Sequence, residues 1–180
     1  MQEIGWDAHR RCFTDMQEDP ILSIFKLYPW EWMIQENFGQ KLIDSYDQMQ
    51  WIEPVWKMLW SNKGILPILW ELYPGHPNLL EARFGNPGTM TQYVQKPLLS
   101  REGANIKIVD RGICKMETQG EYGIEGYIFQ ALAPIKRFDS AYPVISSWVI
   151  DGAGCGMGIR EGSSMVTDNR SRFVPHIFYP

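Results

Sequence analysis

The spacing of apolar residues changes about halfway along the chain. In the first half they recur three and four positions apart, as at Leu42, Tyr46 and Met49, which predicts helices. In the second half, short β-prone runs are separated by glycine and turn residues, which predicts strands and hairpins. A helical part over 1–89 followed by a strand-rich part over 90–180 predicts an α+β fold, with helices packed on a mainly antiparallel sheet.

Turn and capping residues predict where the helices of the first half begin and end. Pro54 suits the first turn of a helix, and Gly64 suits the position directly after a helix. A short helix, a turn at Pro74 and Gly75, and another short helix are expected next. Because the chain has no internal repeat, low-complexity tract or long linker, we do not predict two independent domains within 1–180.

Composition and charge argue against several classes of protein. Hydrophobic residues make up 44% and charged residues 21% of the 180 residues, which is ordinary for a soluble globular protein. The net charge of −4 argues against a general nucleic-acid binder, since phosphate backbones attract basic surfaces. Three cysteines without CxxC spacing and three dispersed histidines argue against a disulfide framework, a zinc site or a histidine-based triad. No apolar run reaches about 18 residues, so we predict a cytoplasmic protein with no membrane partner.

The stretch YVQKPLLSREGANI, residues 93–106, combines a strand with a charged loop. Lys96 ends the strand, Arg101 follows five positions later, and Gly103 lets backbone N–H groups approach an anion. Such a group suits a polyanion such as a nucleoside triphosphate, and Glu102 would be tolerated there beside Mg²⁺ or a cation. The alternative is an ordinary hairpin turn with solvated charges, and the pattern by itself leaves both open.

Three further positions have both a structural and a functional interpretation. Lys63 stands at an expected helix end, where a solvated lysine complements the helix dipole. Gln130 lies in an apolar run that suits either an ordinary core strand or a strand edge that hydrogen-bonds an adenine. Arg160 follows a glycine-rich run with no helix pattern after it, so we reject a dinucleotide-binding loop. We predict instead a wide hairpin that presents Arg160 to charge on a phosphoryl group or a tetrahedral centre.

Several blocks that together cover nearly the whole chain point to a known family. They are FKLYPWEWM, EPVWKMLWSNKGILPILWELYPGHPNLLEA, YVQKPLLSREGANI, YIFQALAP, and SSWVIDGAGCGMGIREG with the later VTDNRSRFVPHIF. In content and order these blocks resemble the glutathionylspermidine synthase family, in particular its stand-alone, synthetase-like bacterial members. The KPxxSREGAN and GMGIRE blocks are the specific ones.

The resemblance implies an ATP-grasp fold and ATP-dependent amide ligation through an acyl phosphate, with ATP and Mg²⁺. It implies a glutathione-like acid and a polyamine-like amine as substrates. The chain has no Cys-His amidase signature, so spermidine need not be the amine. Catalysis would then rest mainly on positioning and electrostatic stabilisation.

The resemblance also assigns roles to individual residues. Arg101 and Arg160 are expected to bind the carboxylate substrate and to stabilise the developing acyl-phosphate charge, as substrate-binding and catalytic residues. Glu102 is expected to bind the metal as well as the nucleotide. The full set expected at ATP is Lys63 and Lys96 at the phosphates, Glu102 and Gly103 at the nucleotide and metal, Gln130, Ala131, Leu132 and Ala133 as the adenine hinge, and Met165 and Val166 nearby.

Members of this family are much longer than 180 residues. Their N-terminal half supplies further Mg²⁺ ligands and much of the acid and amine site, and residues 1–30 offer no comparable set. The chain is therefore identified with the C-terminal half of a synthetase, and the missing N-terminal half is an expected partner. The alternative is a catalytically inert, truncated nucleotide-binding module.

Overall fold

The computed structural model describes residues 4–178, and the chain divides into two compact units between Ser61 and Asn62. The fold is mixed α/β, with mostly antiparallel sheets and few helices. The boundary between the units falls in a turn between two short helices, where the composition is not that of a linker, so the sequence does not reveal it. Within the described part of the chain, no helix combines the length and apolar character needed to cross a membrane.

Helices occur only in the first part of the described chain, and they are short. The α-helices are α1 (Trp30–Gln35), α2 (Gly39–Asp44), α3 (Met58–Ser61) and α4 (Ile65–Leu72), with 3-10 turns at Tyr46–Gln48 and Val55–Lys57. The strands are β1 (Gly5–Asp7), β2 (Cys12–Thr14), β3 (Ser23–Phe25), β4 (Gln50–Ile52), β5 (Ala82–Phe84), β6 (Gln92–Pro97), β7 (Lys107–Asp110), β8 (Ile113–Glu117), β9 (Tyr127–Ala131), β10 (Tyr142–Ile150), β11 (Ala153–Gly162) and β12 (Arg172–Val174). Strands β1 to β5 lie where the sequence predicted helices. The prediction is wrong there because strands of three residues are too short to show a periodic pattern of apolar residues.

Large apolar side chains form the core of the first unit. In this unit β1 and β2 pair antiparallel, and β3 and β4 pair parallel. The rings of Trp30 and Trp51 lie 4.7 Å apart between centroids, and each indole N–H donates to a backbone carbonyl, so the polar edge of each buried indole is satisfied. The buried cluster consists of Phe13, Trp30, Met33, Leu42, Met49 and Trp51.

Two helix predictions are wrong for local reasons. Strand β4 lies where the sequence predicted a continued helix. Only its central residue, Trp51, is buried, and an exposed–buried–exposed alternation is typical of a strand. Gly64 is not the residue directly after α3, which ends at Ser61, but the residue directly before α4, with φ of −58°. Its N–H donates to Asn62 Oδ1 at 2.8 Å, which closes a tight turn before the new helix.

The second unit contains the antiparallel sheet that the strand-rich pattern predicted. Its five strands run in the order β5–β9–β6–β7–β8, and every neighbouring pair is antiparallel. Helix α4 lies against β5, and strands β10, β11 and β12 form a separate three-stranded antiparallel sheet. The buried apolar residues of the larger sheet and its loops are Ala82, Ile106, Ile108, Val109 and Ile128.

Replacing Ile128 with Ala is expected to lower the free energy of unfolding by about 2–5 kcal/mol. Ile128 is 0% exposed in β9, between β5 and β6, so truncation leaves a void in the middle of the sheet. Ile124→Ala is the matched control, because that side chain is 95% exposed and its loss is expected to change stability by less than about 0.5 kcal/mol. Urea denaturation compares the two variants, and equal losses would contradict the placement of Ile128 in the core.

Candidate functional site

A cavity of ≈310 Å³ lies within the second unit, on one face of its five-stranded sheet. The alternation of side chains along the strands brings Val94 and Lys96 of β6 to this face, with Ile108 of β7 and Gln130 of β9. The loop after β6, the segment after β9 and residues 165–166 form its walls. The site is therefore assembled from parts of the chain that lie up to about 100 residues apart in sequence.

The structure brings together all ten residues that the resemblance places at ATP. They are Lys63, Lys96, Glu102, Gly103, Gln130, Ala131, Leu132, Ala133, Met165 and Val166. Their shared location is a finding, whereas the role of each one stays a prediction. The cavity is also lined by apolar residues to which the sequence assigned no role, including Leu80, Val94, Ile106, Ile108 and Ile135.

Lys96 and Gln130 form a polar pair on the floor of the cavity. Lys96 Nζ donates to Gln130 Oε1 at 2.7 Å across strands β6 and β9. Register explains the contact, because Gln130 lies opposite Val94, two positions before Lys96 on the same face. Burial lowers the pKa of the Lys96 ammonium, since the side chain has lost water and faces a neutral amide. An anion bound in the cavity would favour the charged form again.

Lys63 reaches the cavity from the turn before α4. Its Nζ donates to the backbone carbonyl oxygen of Ser100 at 2.7 Å and to Ser100 Oγ at 2.9 Å. Its backbone N–H donates to the carbonyl oxygen of Leu98 at 2.9 Å. The interpretation of Lys63 as a solvated lysine at a helix end is therefore wrong, because its side chain is half-buried and bonded to the loop after β6.

The loop after β6 packs closely against the segment that contains Met165 and Val166. Glu102 and Gly103 have φ of 53° and 71°, in the left-handed region. A Cβ on Gly103 would lie 2.5 Å from Val166 Cγ1 and 2.7 Å from the carbonyl oxygen of Thr167. Both the backbone conformation and the lack of space therefore require glycine at position 103.

Side-chain hydrogen bonds hold the end of the same loop. Asn105 Oδ1 accepts from the N–H of Tyr122 at 2.8 Å, and Asn105 Nδ2 donates to the carbonyl oxygen of Gly120 at 3.1 Å. Thr118 Oγ1 accepts from the N–H of Ile106 at 2.8 Å. These contacts connect the loop to the chain after β8, so its position at the cavity does not depend on one contact.

Ala131 at the end of β9 and the two residues after it line the cavity. The N–H of Ala131 donates to the carbonyl oxygen of Glu81 at 2.8 Å, and the N–H of Leu132 donates to that of Gln92 at 3.2 Å. For the next residue, Ala133, no backbone carbonyl in the described residues accepts from its N–H. Strand β9 thus ends at Ala131, Leu132 adds one further bond to the sheet, and the N–H of Ala133 takes no part in this pairing.

The two arginines expected at the substrate are described residues that do not line this cavity. Arg101 begins the turn after Ser100, where its carbonyl oxygen accepts from the N–H of Ala104 at 3.0 Å. Arg160 Nη2 donates to the carbonyl oxygens of Asp168 and Ser171, at 2.7 and 3.1 Å. In this arrangement Arg160 fixes the segment that follows β11.

Glu102 is the one carboxylate among the described residues that line the cavity. Across residues 4–178, His, Cys, Asp and Glu side chains form no group of three or more suited to holding a metal ion. The structure therefore offers a single carboxylate where the sequence predicts Mg²⁺, and the assignment of Glu102 to the metal stays a prediction.

A sequence model described as glutathionylspermidine synthase preATP-grasp matches residues 1–179. Three curated proteins illustrate the similarity. A putative acid–amine ligase of Haemophilus influenzae is 40% identical over 190 residues, covering 100% of this chain and 48% of that protein. A trypanothione synthetase of Crithidia fasciculata is 31% identical, covering 86% of this chain and 27% of that protein. A bifunctional glutathionylspermidine synthetase/amidase of Escherichia coli is 27% identical, covering 98% of this chain and 32% of that protein. The chain thus spans about half or less of the length of these relatives.

Replacing Gly103 with Ala is expected to lower the free energy of unfolding of the second unit by more than the strain of an alanine in the left-handed backbone region accounts for. The strain is about 1–2 kcal/mol, and the clash with Val166 and Thr167 adds about 1–3 kcal/mol. Gly112→Ala is the matched control, because Gly112 has φ of 78° and a Cβ there would meet nothing within 4 Å. Urea denaturation measures both variants. If Gly103→Ala lowers the free energy of unfolding by no more than Gly112→Ala does, the packing of this loop on Val166 is refuted.

Proposed function

Because the chain belongs to the glutathionylspermidine synthase preATP-grasp family, we propose that it forms part of an ATP-dependent carboxylate–amine ligase with an ATP-grasp fold. The observation that carries the proposal is the cavity of the second unit, where two lysines and a glycine-containing loop line a space that is otherwise mostly apolar. The relatives named as acid–amine ligase, trypanothione synthetase and glutathionylspermidine synthetase support amide-bond formation. Their names do not favour a catalytically inert nucleotide-binding module.

The cavity suits a nucleotide in size and polarity. Its volume lies at the lower end of the range for small-molecule sites. We assign the flat adenine to the apolar part, beside Ile106 and Ile108, with the N–H of Ala133 donating to a ring nitrogen. We assign the phosphates to the ammonium groups of Lys63 and Lys96, where charge-assisted hydrogen bonds are strongest.

Glu102 fits a magnesium ion that is shared with the nucleotide. Mg²⁺ is usually held by one or two carboxylates together with phosphate oxygens and water, so one carboxylate in the cavity is sufficient on the protein side. When bound, the ion would neutralise part of the phosphate charge. The exposure of Glu102 leaves its carboxylate accessible to such an ion.

The proposed reaction has two steps. A carboxylate oxygen of the acid attacks the γ-phosphorus of ATP, and ADP leaves with the electron pair of the broken P–O bond. The amine nitrogen then attacks the acyl carbon and loses a proton, and phosphate leaves as the amide bond forms. Lys63 and Lys96 contribute by holding the phosphates in one orientation, which is how proteins accelerate phosphoryl transfer.

The acid and amine are proposed from the names of the relatives. We infer a glutathione-like acid and a polyamine-like amine, with Arg101 at the acid carboxylate and Arg160 at the acyl-phosphate charge. The bonds from Arg160 to Asp168 and Ser171 imply that it would act from β11, beside the segment that follows this strand, and not from the cavity wall. The cytoplasmic location also stays a prediction.

Lys96→Met is expected to weaken the binding of Mg²⁺–ATP about tenfold to a hundredfold, because a charge-assisted contact to phosphate is lost. Lys107→Met is the matched control, since Lys107 lies on β7 between Ile106 and Ile108 but does not line the cavity. Isothermal titration calorimetry measures both variants, with thermal unfolding as a check of folding. Equal ATP affinity in wild type and Lys96→Met would refute the phosphate role of Lys96.

ADP release is expected to require both an acid and an amine. The chain is assayed with Mg²⁺–ATP, glutathione and spermidine, first by itself and then together with the part of the Haemophilus influenzae relative that this chain does not match. The match covers 48% of that relative. Omission of either substrate is the control. Release that depends on both substrates in either format supports ligation, whereas a chain that binds ATP and shows no such release in both formats contradicts it.

A further inference from the structure

Ser100 lies where the side chain of Lys63 meets the loop after β6. It lines the same cavity as Lys63 and Lys96 and is half-buried there. The sequence assigned this serine no role of its own, since the predicted phosphate contacts were the two lysines. Its contacts give it a more specific place in the site.

The hydroxyl of Ser100 accepts one hydrogen bond and has a hydrogen left to donate. Ser100 Oγ accepts from Lys63 Nζ at 2.9 Å. A serine hydroxyl has one O–H donor and two acceptor positions, and no acceptor among the described residues takes the Ser100 hydrogen. Accepting a bond from an ammonium group polarises the hydroxyl and makes its O–H a stronger donor.

The position of this hydroxyl is fixed by the backbone on both sides. The N–H of Lys63 donates to the carbonyl oxygen of Leu98 at 2.9 Å, and the N–H of Leu98 donates to that of Gly126 at 3.0 Å. The carbonyl oxygen of Ser100 itself accepts from Lys63 Nζ at 2.7 Å. Lys63 and residues 98–100 therefore form one connected unit, and the Ser100 hydroxyl is held in place before any ligand binds.

We propose that Ser100 is a further phosphate-binding residue, which donates its hydroxyl hydrogen to a phosphate oxygen of the nucleotide while it accepts from the Lys63 ammonium. This inference rests on the proposed nucleotide site. A phosphate oxygen matches a polarised donor that contacts the Lys63 ammonium, in a cavity that Lys96 also lines and whose other lining is mostly apolar. An adenine in the same position would meet the lysines with its ring and lose the charge-assisted contacts.

The proposal predicts a loss of affinity that depends on phosphate. Ser100→Ala is expected to bind Mg²⁺–ATP about tenfold to a hundredfold more weakly than wild type, because a hydrogen bond to a charged group is lost. Adenosine affinity is expected to be unchanged, since adenosine has no phosphate. Ser100→Thr, which keeps the hydroxyl, is expected to recover most of the ATP affinity, and Ser163→Ala, an exposed serine outside the cavity, is the matched control.

Calorimetry on the whole chain with ATP and with adenosine separates the possible failures. If wild type binds neither ligand, the nucleotide site itself is refuted, and this inference with it. If wild type binds ATP and Ser100→Ala binds it equally well, the inference is refuted while the nucleotide site stands. If Ser100→Ala loses affinity for adenosine and ATP by the same factor, Ser100 supports the loop and does not bind phosphate, which also refutes the inference.

Discussion

The antiparallel register between β6 and β9 positions the whole floor of the cavity. It places Val94 opposite Gln130 and Lys96 opposite Ile128, so that the polar pair Lys96–Gln130 lies on a diagonal of one sheet face. Ile128, fully buried, occupies the remaining corner of this arrangement. A shift of one residue would turn Lys96 and Gln130 to the opposite face, and the cavity would lose both of its polar floor residues.

Two sets of contacts attach the walls of the cavity to this floor. Lys63 binds the carbonyl oxygen and hydroxyl of Ser100, which connects the turn before α4 to the loop after β6. Gly103 lies against Val166 and Thr167, which brings the segment after β11 to the same loop. The loop is therefore the common partner of both walls. A substitution in it is expected to affect binding through position as well as through direct contact.

A partly buried lysine would let the proposed site favour an anion without a strongly basic surface. The net charge of the chain is −4, so attraction for a polyanion must come from local groups. Burial has lowered the pKa of Lys96, and its neutral partner Gln130 restores only part of the lost solvation. A bound phosphate would supply the missing opposite charge. The folded protein has already desolvated Lys96, so this part of the free-energy cost does not arise again on binding.

The sequence by itself determined which residues could form the proposed site, because specific motifs contain the residue types, at the spacing, that the resemblance assigns to a nucleotide site. It indicated Lys96, Gly103 and Gln130, and its β-prone runs correctly indicated an antiparallel sheet in the second half. It did not indicate the short strands β1 to β5 or the division into two units, since three-residue strands and a turn between helices have no periodic signal. Only the tertiary structure decided that Lys63 bonds to Ser100 and that Arg160 bonds to the segment after β11. The first contact joins residues 37 positions apart, and the bonds of Arg160 reach residues 8 and 11 positions away. Strand register and loop packing bring these residues together, which local sequence cannot encode.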